Sequence, residues 1–232
     1  MKHSIIMMSF LGSYPGCATN REFKFKRAVD SFLSNTHEEK ELIIISDGCE
    51  ITNRIYNESY SKHENIKLII APKQDKGYPG RLRTLGLFLA EGETVSYLDT
   101  DDYLSPNYIK NLLTAFQNNF CLHWAFYDMY VADPDEEYPG CWVPEPEEID
   151  PSLKKIKWTI LLSKAERRSI GTGNIIHKIE AREKCFWRNW NLEGVSEDWD
   201  FIRQLTEEYG SASKLDPAGY YICHFRPAGV DI

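Results

Sequence analysis

The sequence predicts an α/β fold with a mostly parallel central sheet flanked by helices. Short apolar runs at residues 4–8, 41–46, 66–71 and 94–98 alternate with segments whose apolar residues recur at helical spacing. One run places Leu42, Ile43, Ile44 and Ile45 in succession, as a central parallel strand covered on both faces requires. The chain has 232 residues, 42% of them hydrophobic, so one domain with one large core accounts for it and global disorder is excluded.

The elements follow in order. Residues 4–8 read as a buried strand, and residues 11–20, with Gly12, Pro15 and Gly16, as a loop. Phe25, Ala28, Val29, Phe32 and Leu33 mark a helix that Asn35 and Thr36 end. The strand at 41–46 stops at the turn pair Asp47-Gly48. A helix over 51–62 and a strand over 66–71 come next. Leu82, Leu85, Leu89 and Ala90 fall on one helical face, with Gly92 as the stop.

The strand over 94–98 leads into Asp99. Ser105 and Pro106 read as the N-cap and first position of a helix carrying Ile109, Leu112, Leu113 and Phe116. Residues 121–131 form an aromatic-rich strand. The acidic, proline-rich stretch 132–151 reads as an exposed loop, either a substrate-side lid or a solvated linker. An amphipathic stretch at 153–164, a strand at 174–179, a helix at 196–209 and a strand at 220–225 complete the chain. Ligands of such sheets bind outside the carboxyl ends of the strands, where Asp47 and Asp99 both fall.

Charge and cysteine content narrow the classes. With 27 Lys and Arg against 35 Asp and Glu, the net charge is -8, so nonspecific binding to nucleic acid or an anionic membrane is not the default. No apolar run reaches membrane-spanning length and the first ten residues do not form a signal peptide, so a cytoplasmic location is expected. The six cysteines are scattered without a CxxC pair and are expected to be free thiols.

Three clusters carry chemistry. Asp99-Thr100-Asp101-Asp102 sets three repelling carboxylates just after a strand, an arrangement that Mg²⁺ or Mn²⁺ relieves; a polar turn is the plain alternative. Ser196-Glu197-Asp198-Trp199-Asp200 opens a helix. Acids there are stabilised by the helix dipole, and one of them can serve as a general base, which must be ionised at pH 7. Gly77 to Arg83 pairs glycines with Arg81 and Arg83, a weak anion-binding signal without the spacing of a P-loop or a dinucleotide fingerprint. His177 and His224 sit in apolar strands, where a satisfied core residue is the ordinary reading. Trp142, Trp187 and Trp190 are either core residues or sugar-stacking platforms.

In this order the pieces resemble the family 2 glycosyltransferases of the GT-A fold. Residues 25–49, FKRAVDSFLSNTHEEKELIIISDGC, look like that family's first helix, second strand and DDGS-type turn. Residues 80–107, GRLRTLGLFLAEGETVSYLDTDDYLSPN, look like its ARNxGL helix, GEY strand and DxD motif. Residues 174–205 are similar to the region where a strand and a Glu-Asp pair precede the last helix. The sequence departs from the pattern at Met8 for Pro, Ser46 for the first acid of DDGS, and Thr84 for Asn.

The resemblance implies a single GT-A domain in two halves, with residues 1–131 binding a nucleotide-diphosphate-sugar and residues 132–232 carrying the acceptor side and the base. It implies that Asp47 meets the nucleobase, that Arg83 approaches the nucleotide, and that Phe10, in place of the aromatic residue after the first strand, and Asp102 lie with the donor. Asp101 would bind Mn²⁺ or Mg²⁺, Asp99 would hold ribose or metal, and His224 is a looser match to a metal ligand. Asp198 would be the catalytic base, with Glu197 beside it. The donor expected is a UDP-sugar, transferred with inversion to a hydroxyl of a glycan, lipid carrier, protein or modified nucleic acid. Three other readings stay open: a sugar-phosphate nucleotidyltransferase, a non-catalytic sugar-binding module, and a hydrolase of nucleotide-sugars.

Overall fold

The computed structural model describes residues 1–14, 17, 20–73, 79–119, 121–127, 129–131, 154–156, 172–188, 197–210, 213–215 and 221–223. The order is β1 (His3–Ser9), α1 (Arg21–Leu33), β2 (Lys40–Asp47), α2 (Glu50–Ile55), β3 (Ile66–Ala71), α3 (Gly80–Leu89), β4 (Thr94–Tyr97), β5 (Tyr103–Leu104), α4 (Tyr108–Asn118) and β6 (Trp124–Tyr127). Then come β7 (Met129–Val131), β8 (Lys154–Ile156), β9 (Ile175–Lys178), α5 (Glu197–Tyr209), β10 (Ser213–Leu215) and β11 (Tyr221–Cys223). Helix α2 runs on into a π-helical turn, Tyr56–Tyr60.

Seven strands form the main sheet in the order β10-β6-β9-β4-β1-β2-β3. Strands β3, β2, β1 and β4 are mutually parallel, and β9 runs antiparallel between β4 and β6. Strand β1 is central and sets the register, with Met7 opposite Ile44 and Ile6 opposite Tyr97. A smaller sheet has the order β5-β11-β7-β8. The aromatic-rich stretch expected as one strand over 121–131 is therefore two, β6 and β7, which pair in different sheets.

Side-chain alternation splits the core in two. Ile5, Met7, Leu42, Ile44 and Ile66 face α1, α2 and α4. Ile6, Ile43, Ile45, Val95 and Tyr97 face α3 and α5. Every residue of β2 is buried, as its unbroken apolar run requires. Four described cysteines, Cys17, Cys49, Cys121 and Cys185, are free thiols.

Two helices differ from expectation. The buried face of α3 is Leu82, Arg83, Gly86 and Leu87, while Leu85 and Leu89 are exposed. The reason is Gly86: a Cβ there would lie 2.5 Å from Ile6 Cγ2, so the helix presses its glycine onto β1. Helix α4 begins at Tyr108 with Asn107 as its N-cap, not at Pro106. The preceding residues are otherwise committed, since Tyr103 and Leu104 pair as β5 and the Ser105 carbonyl accepts from Asn35 Nδ2 at 2.9 Å. The stretch 132–151 lies outside the described residues.

Candidate active site

The carboxyl ends of β1, β2, β3 and β4 open on one side, and the residues just past them line that edge. Gly48 turns the chain after β2 with φ 56; a Cβ there would lie 2.9 Å from the Lys73 backbone nitrogen. Asp47, ahead of it, is buried. Phe10, half-buried after β1, has Lys73 Nζ 5.1 Å above its ring and Tyr14 stacked 6.4 Å away. Arg21 of α1 donates to the carbonyls of Phe10 and Gly12 and so holds this loop. Sequence reasoning missed Lys73, which no motif marks.

Past β4 the acids form a tight turn, with the Asp102 N–H donating to the Asp99 carbonyl at 3.2 Å. Arg27 and Ser31 of α1, with Asn35 just past its end, hold the turn and the strand after it; the three polar residues are spaced four apart. Arg27 Nη2 donates to the Asp101 carbonyl at 2.6 Å, the Leu104 N–H to Ser31 Oγ at 3.1 Å, and Asn35 Nδ2 to the Ser105 carbonyl. All three side chains are buried. Their spacing is the signal that sequence reasoning passed over, because it followed only the apolar stripe of α1.

Asp101 is half-buried and Asp102 buried. Burial, reinforced by the negative charge of Asp99, holds the Asp101 carboxyl above the usual range. Carboxylates of this kind are the hard oxygen donors that divalent cations take. Among the described residues, no group of three or more His, Cys, Asp or Glu side chains is arranged to hold a metal ion. His224 lies outside them.

Arg83, buried on α3, joins this corner to the second acidic cluster. Its Nη1 donates to Glu197 Oε1 of α5, and its Nη2 reaches Asp99 Oδ1 at 3.4 Å. Burial works against the charged guanidinium, but Glu197, Asp99 and Asp198 outweigh it and hold its pKa above the ordinary value. Glu197 is itself pushed up, first by burial, with Asp198 and Asp99 adding to it against the pull of Arg83. Its second oxygen, Oε2, is buried without a hydrogen-bond partner among the described residues. Asp198, half-buried, accepts the Trp199 N–H at 2.9 Å. Asp200 is taken up by structure: Arg203 and Gln204 bind its carboxylate at 2.8 and 2.9 Å.

Two other expectations are settled by burial. His177 is a satisfied core residue, fully buried with both ring nitrogens bonded. Trp187 is only 2% exposed, so it is no platform for a sugar. Trp142 and Trp190 lie outside the described residues.

A mostly parallel sheet flanked by helices, with an acidic turn past β4, is a GT-A-type glycosyltransferase fold. Solved structures share it: S. aureus TarS 1-349 superposes with a TM-score of 0.68 at 20% identity, covering 97% of this chain and 60% of that one. The same protein in complex with UDP-GlcNAc gives 0.67 at 18% identity, covering 98% and 60%.

The model of glycosyl transferase family 2 matches residues 17–160, more than half of the chain, and the chain belongs to that family. Curated relatives include an uncharacterized glycosyltransferase of Haemophilus influenzae, 29% identical over 103 residues, which are 44% of this chain and 32% of that one. Another is chondroitin synthase of Escherichia coli, 31% identical over 97 residues, 41% of this chain and 14% of that one. The matched stretch thus spans about a third or less of the length of these relatives. No helix among the described residues is long and apolar enough to cross a membrane.

Proposed function

We propose that this chain transfers a sugar from a UDP-sugar to a hydroxyl acceptor with inversion, assisted by Mg²⁺ or Mn²⁺. The observation that carries the reading is the single guanidinium of Arg83 between Asp99 and Glu197. It brings the acids of the first half, residues 1–131, and those of the second half, residues 132–232, around one point. The UDP-GlcNAc held by a structure of the same fold supports the choice of donor.

In this reading Phe10 and Asp47 receive the nucleobase, Arg83 approaches the diphosphate, and Asp99 and Asp102 lie along the donor. Asp101, with Asp99, would hold the cation, and His224 is a further candidate ligand. Two carboxylates fit a hard divalent ion that takes its remaining ligands from substrate phosphates and water. The raised carboxyl of Asp101 fits too, because a cation relieves the repulsion from Asp99. Bound there, the ion supplies positive charge against the leaving nucleoside diphosphate.

Asp198 acts as the base. Glu197 is committed to Arg83, whereas Asp198 has one oxygen on a backbone N–H. Asp198 takes the proton of the acceptor hydroxyl as that oxygen attacks the anomeric carbon on the face opposite the departing UDP. One displacement inverts the configuration. The acceptor itself is a hydroxyl of unassigned class.

The test is UDP release from UDP-GlcNAc, UDP-glucose and UDP-galactose, with and without Mn²⁺. Release from one donor that needs Mn²⁺ and falls about a hundredfold in Asp198→Asn supports the reading. Equal release by wild type and Asp198→Asn places the base elsewhere.

A further inference from the structure

Trp187 sits where α3, β4 and α5 meet. Its indole stacks on Phe201 of α5, with centroids 4.3 Å apart and planes 17° from parallel. It meets Tyr97 of β4 edge-on at 4.8 Å. The guanidinium carbon of Arg83 lies 5.0 Å from the centre of the same ring.

The ring has no freedom to turn. Trp187 Nε1–H donates to Tyr97 Oη at 2.8 Å, which leaves the Tyr97 hydroxyl proton for His177 Nε2, also at 2.8 Å. That direction requires the His177 proton on Nδ1, where the Lys178 carbonyl accepts it at 2.8 Å. One tautomer of a neutral imidazole therefore fixes the whole relay. The main chain is held as firmly. Thr84 Oγ1, next to Arg83, donates to the Trp187 carbonyl at 2.8 Å. Gln204 of α5 bonds both the N–H and the carbonyl of Phe186, each at 2.9 Å.

A core position asks only for volume, and a leucine or phenylalanine would supply it without a relay of oriented hydrogen bonds. A guanidinium shared between two carboxylates asks for more. Its plane must be set, and an aromatic face attracts the cation without competing for its N–H groups. We propose that Trp187 is the positioning residue for Arg83, with Tyr97, His177 and Thr84 fixing its ring and backbone. This rests on the reading of Arg83 as a residue that meets the donor. It also gives Thr84, a departure from the family motif, a defined use.

The test has two arms. In ligand-free ¹⁵N-labelled protein, the guanidinium resonances of Arg83 are assigned by their loss in Arg83→Lys. Resolved, slowly exchanging Nη–H signals are expected in wild type, and collapsed ones in Trp187→Leu, Trp187→Phe and Tyr97→Phe, all of which lose the Trp187–Tyr97 hydrogen bond. The second arm titrates UDP with Mn²⁺ by calorimetry. The expected Kd is about tenfold weaker in Trp187→Leu, which loses the aromatic face and the relay, and about threefold weaker in Trp187→Phe and Tyr97→Phe, which lose the relay alone. Tyr97→Phe preserves volume, so it keeps the test open if Trp187→Leu does not fold. Unchanged Arg83 signals in a folded Tyr97→Phe protein overturn the proposal, as does equal UDP affinity in all variants. Signals that collapse as expected in a protein that binds no UDP uphold the positioning and overturn the donor reading instead.

Discussion

Arg83 and Glu197 form a largely enclosed ion pair, with 7% and 16% of their side chains exposed. They are 114 positions apart in the chain and belong to different helices, α3 and α5. Residues so distant and so enclosed tie the two acidic clusters into one site. The partner contact to Asp99, whose side chain is 43% exposed, adds little to stability.

Breaking that pair from one side strands a buried charge. Arg83→Met is expected to cost about 3 kcal/mol in urea denaturation. The double variant Arg83→Met/Glu197→Leu should recover at least half of this, since an apolar pair of similar volume replaces two buried charges. Additive losses in the double variant would show that the pair is not coupled.

In the proposed reading the acidic turn takes a ligand at a cost to the empty protein. Asp101→Asn removes a charge that burial and, after it, the repulsion from Asp99 disfavour. Ligand-free Asp101→Asn should melt about 2–4 °C above wild type while losing Mn²⁺-dependent binding of UDP. Thermal scans at pH 7 with and without Mn²⁺ and UDP measure both. A melting temperature below wild type would mean that Asp101 stabilises the fold.

Polar residues of α1 hold the same turn. Ser31→Ala removes the acceptor for the buried Leu104 N–H. The expected loss is about 1–3 kcal/mol, and amide exchange should rise at 101–105 more than in β1 or β2. Uniform exchange across these segments would contradict a local clamp.

Acid should weaken the fold through its buried histidines. Burial lowers the imidazole pKa from 6.5 to about 3 at His3 and to about 4 at His177. The unfolded chain therefore takes up protons below pH 6.5 while the folded chain does not. Stability is full above that pH and falls as pH drops toward the folded values. Each histidine contributes up to about 1.4 kcal/mol per pH unit in this window. The raised carboxyls of Asp101 and Glu197 act in the opposite sense, so the comparison is with His177→Gln. Urea denaturation at pH 7, 6 and 5 should show an average slope about 1 kcal/mol per pH unit smaller in the variant. Equal slopes would mean that His177 is charged or absent from the balance.

Much of this was legible in the chain. Strands such as β2 and β4 announce themselves by local apolar runs, and the acids at 99–102 and 197–198 by local clustering. What stayed hidden is non-local. The buried face of α3 depends on Gly86 meeting Ile6 across the sheet. The start of α4 depends on Asn35, just past the end of α1, bonding the Ser105 carbonyl. Arg83 read as one of a weak pair of anion-binding residues because its two carboxylate partners lie in other segments. Trp187 and His177 read as core residues, and burial bears that out; only their hydrogen-bond directions reveal the link to Arg83.

The most direct measurement is a calorimetric titration of UDP into wild type and Asp101→Ala, each with Mn²⁺ and with EDTA. Wild type should bind UDP at least about tenfold more tightly with Mn²⁺, and Asp101→Ala should lose that gain. Binding of equal strength in Mn²⁺ and EDTA, or the same gain in Asp101→Ala, would contradict the assignment of the acidic turn after β4 as the place where the donor diphosphate and its cation meet.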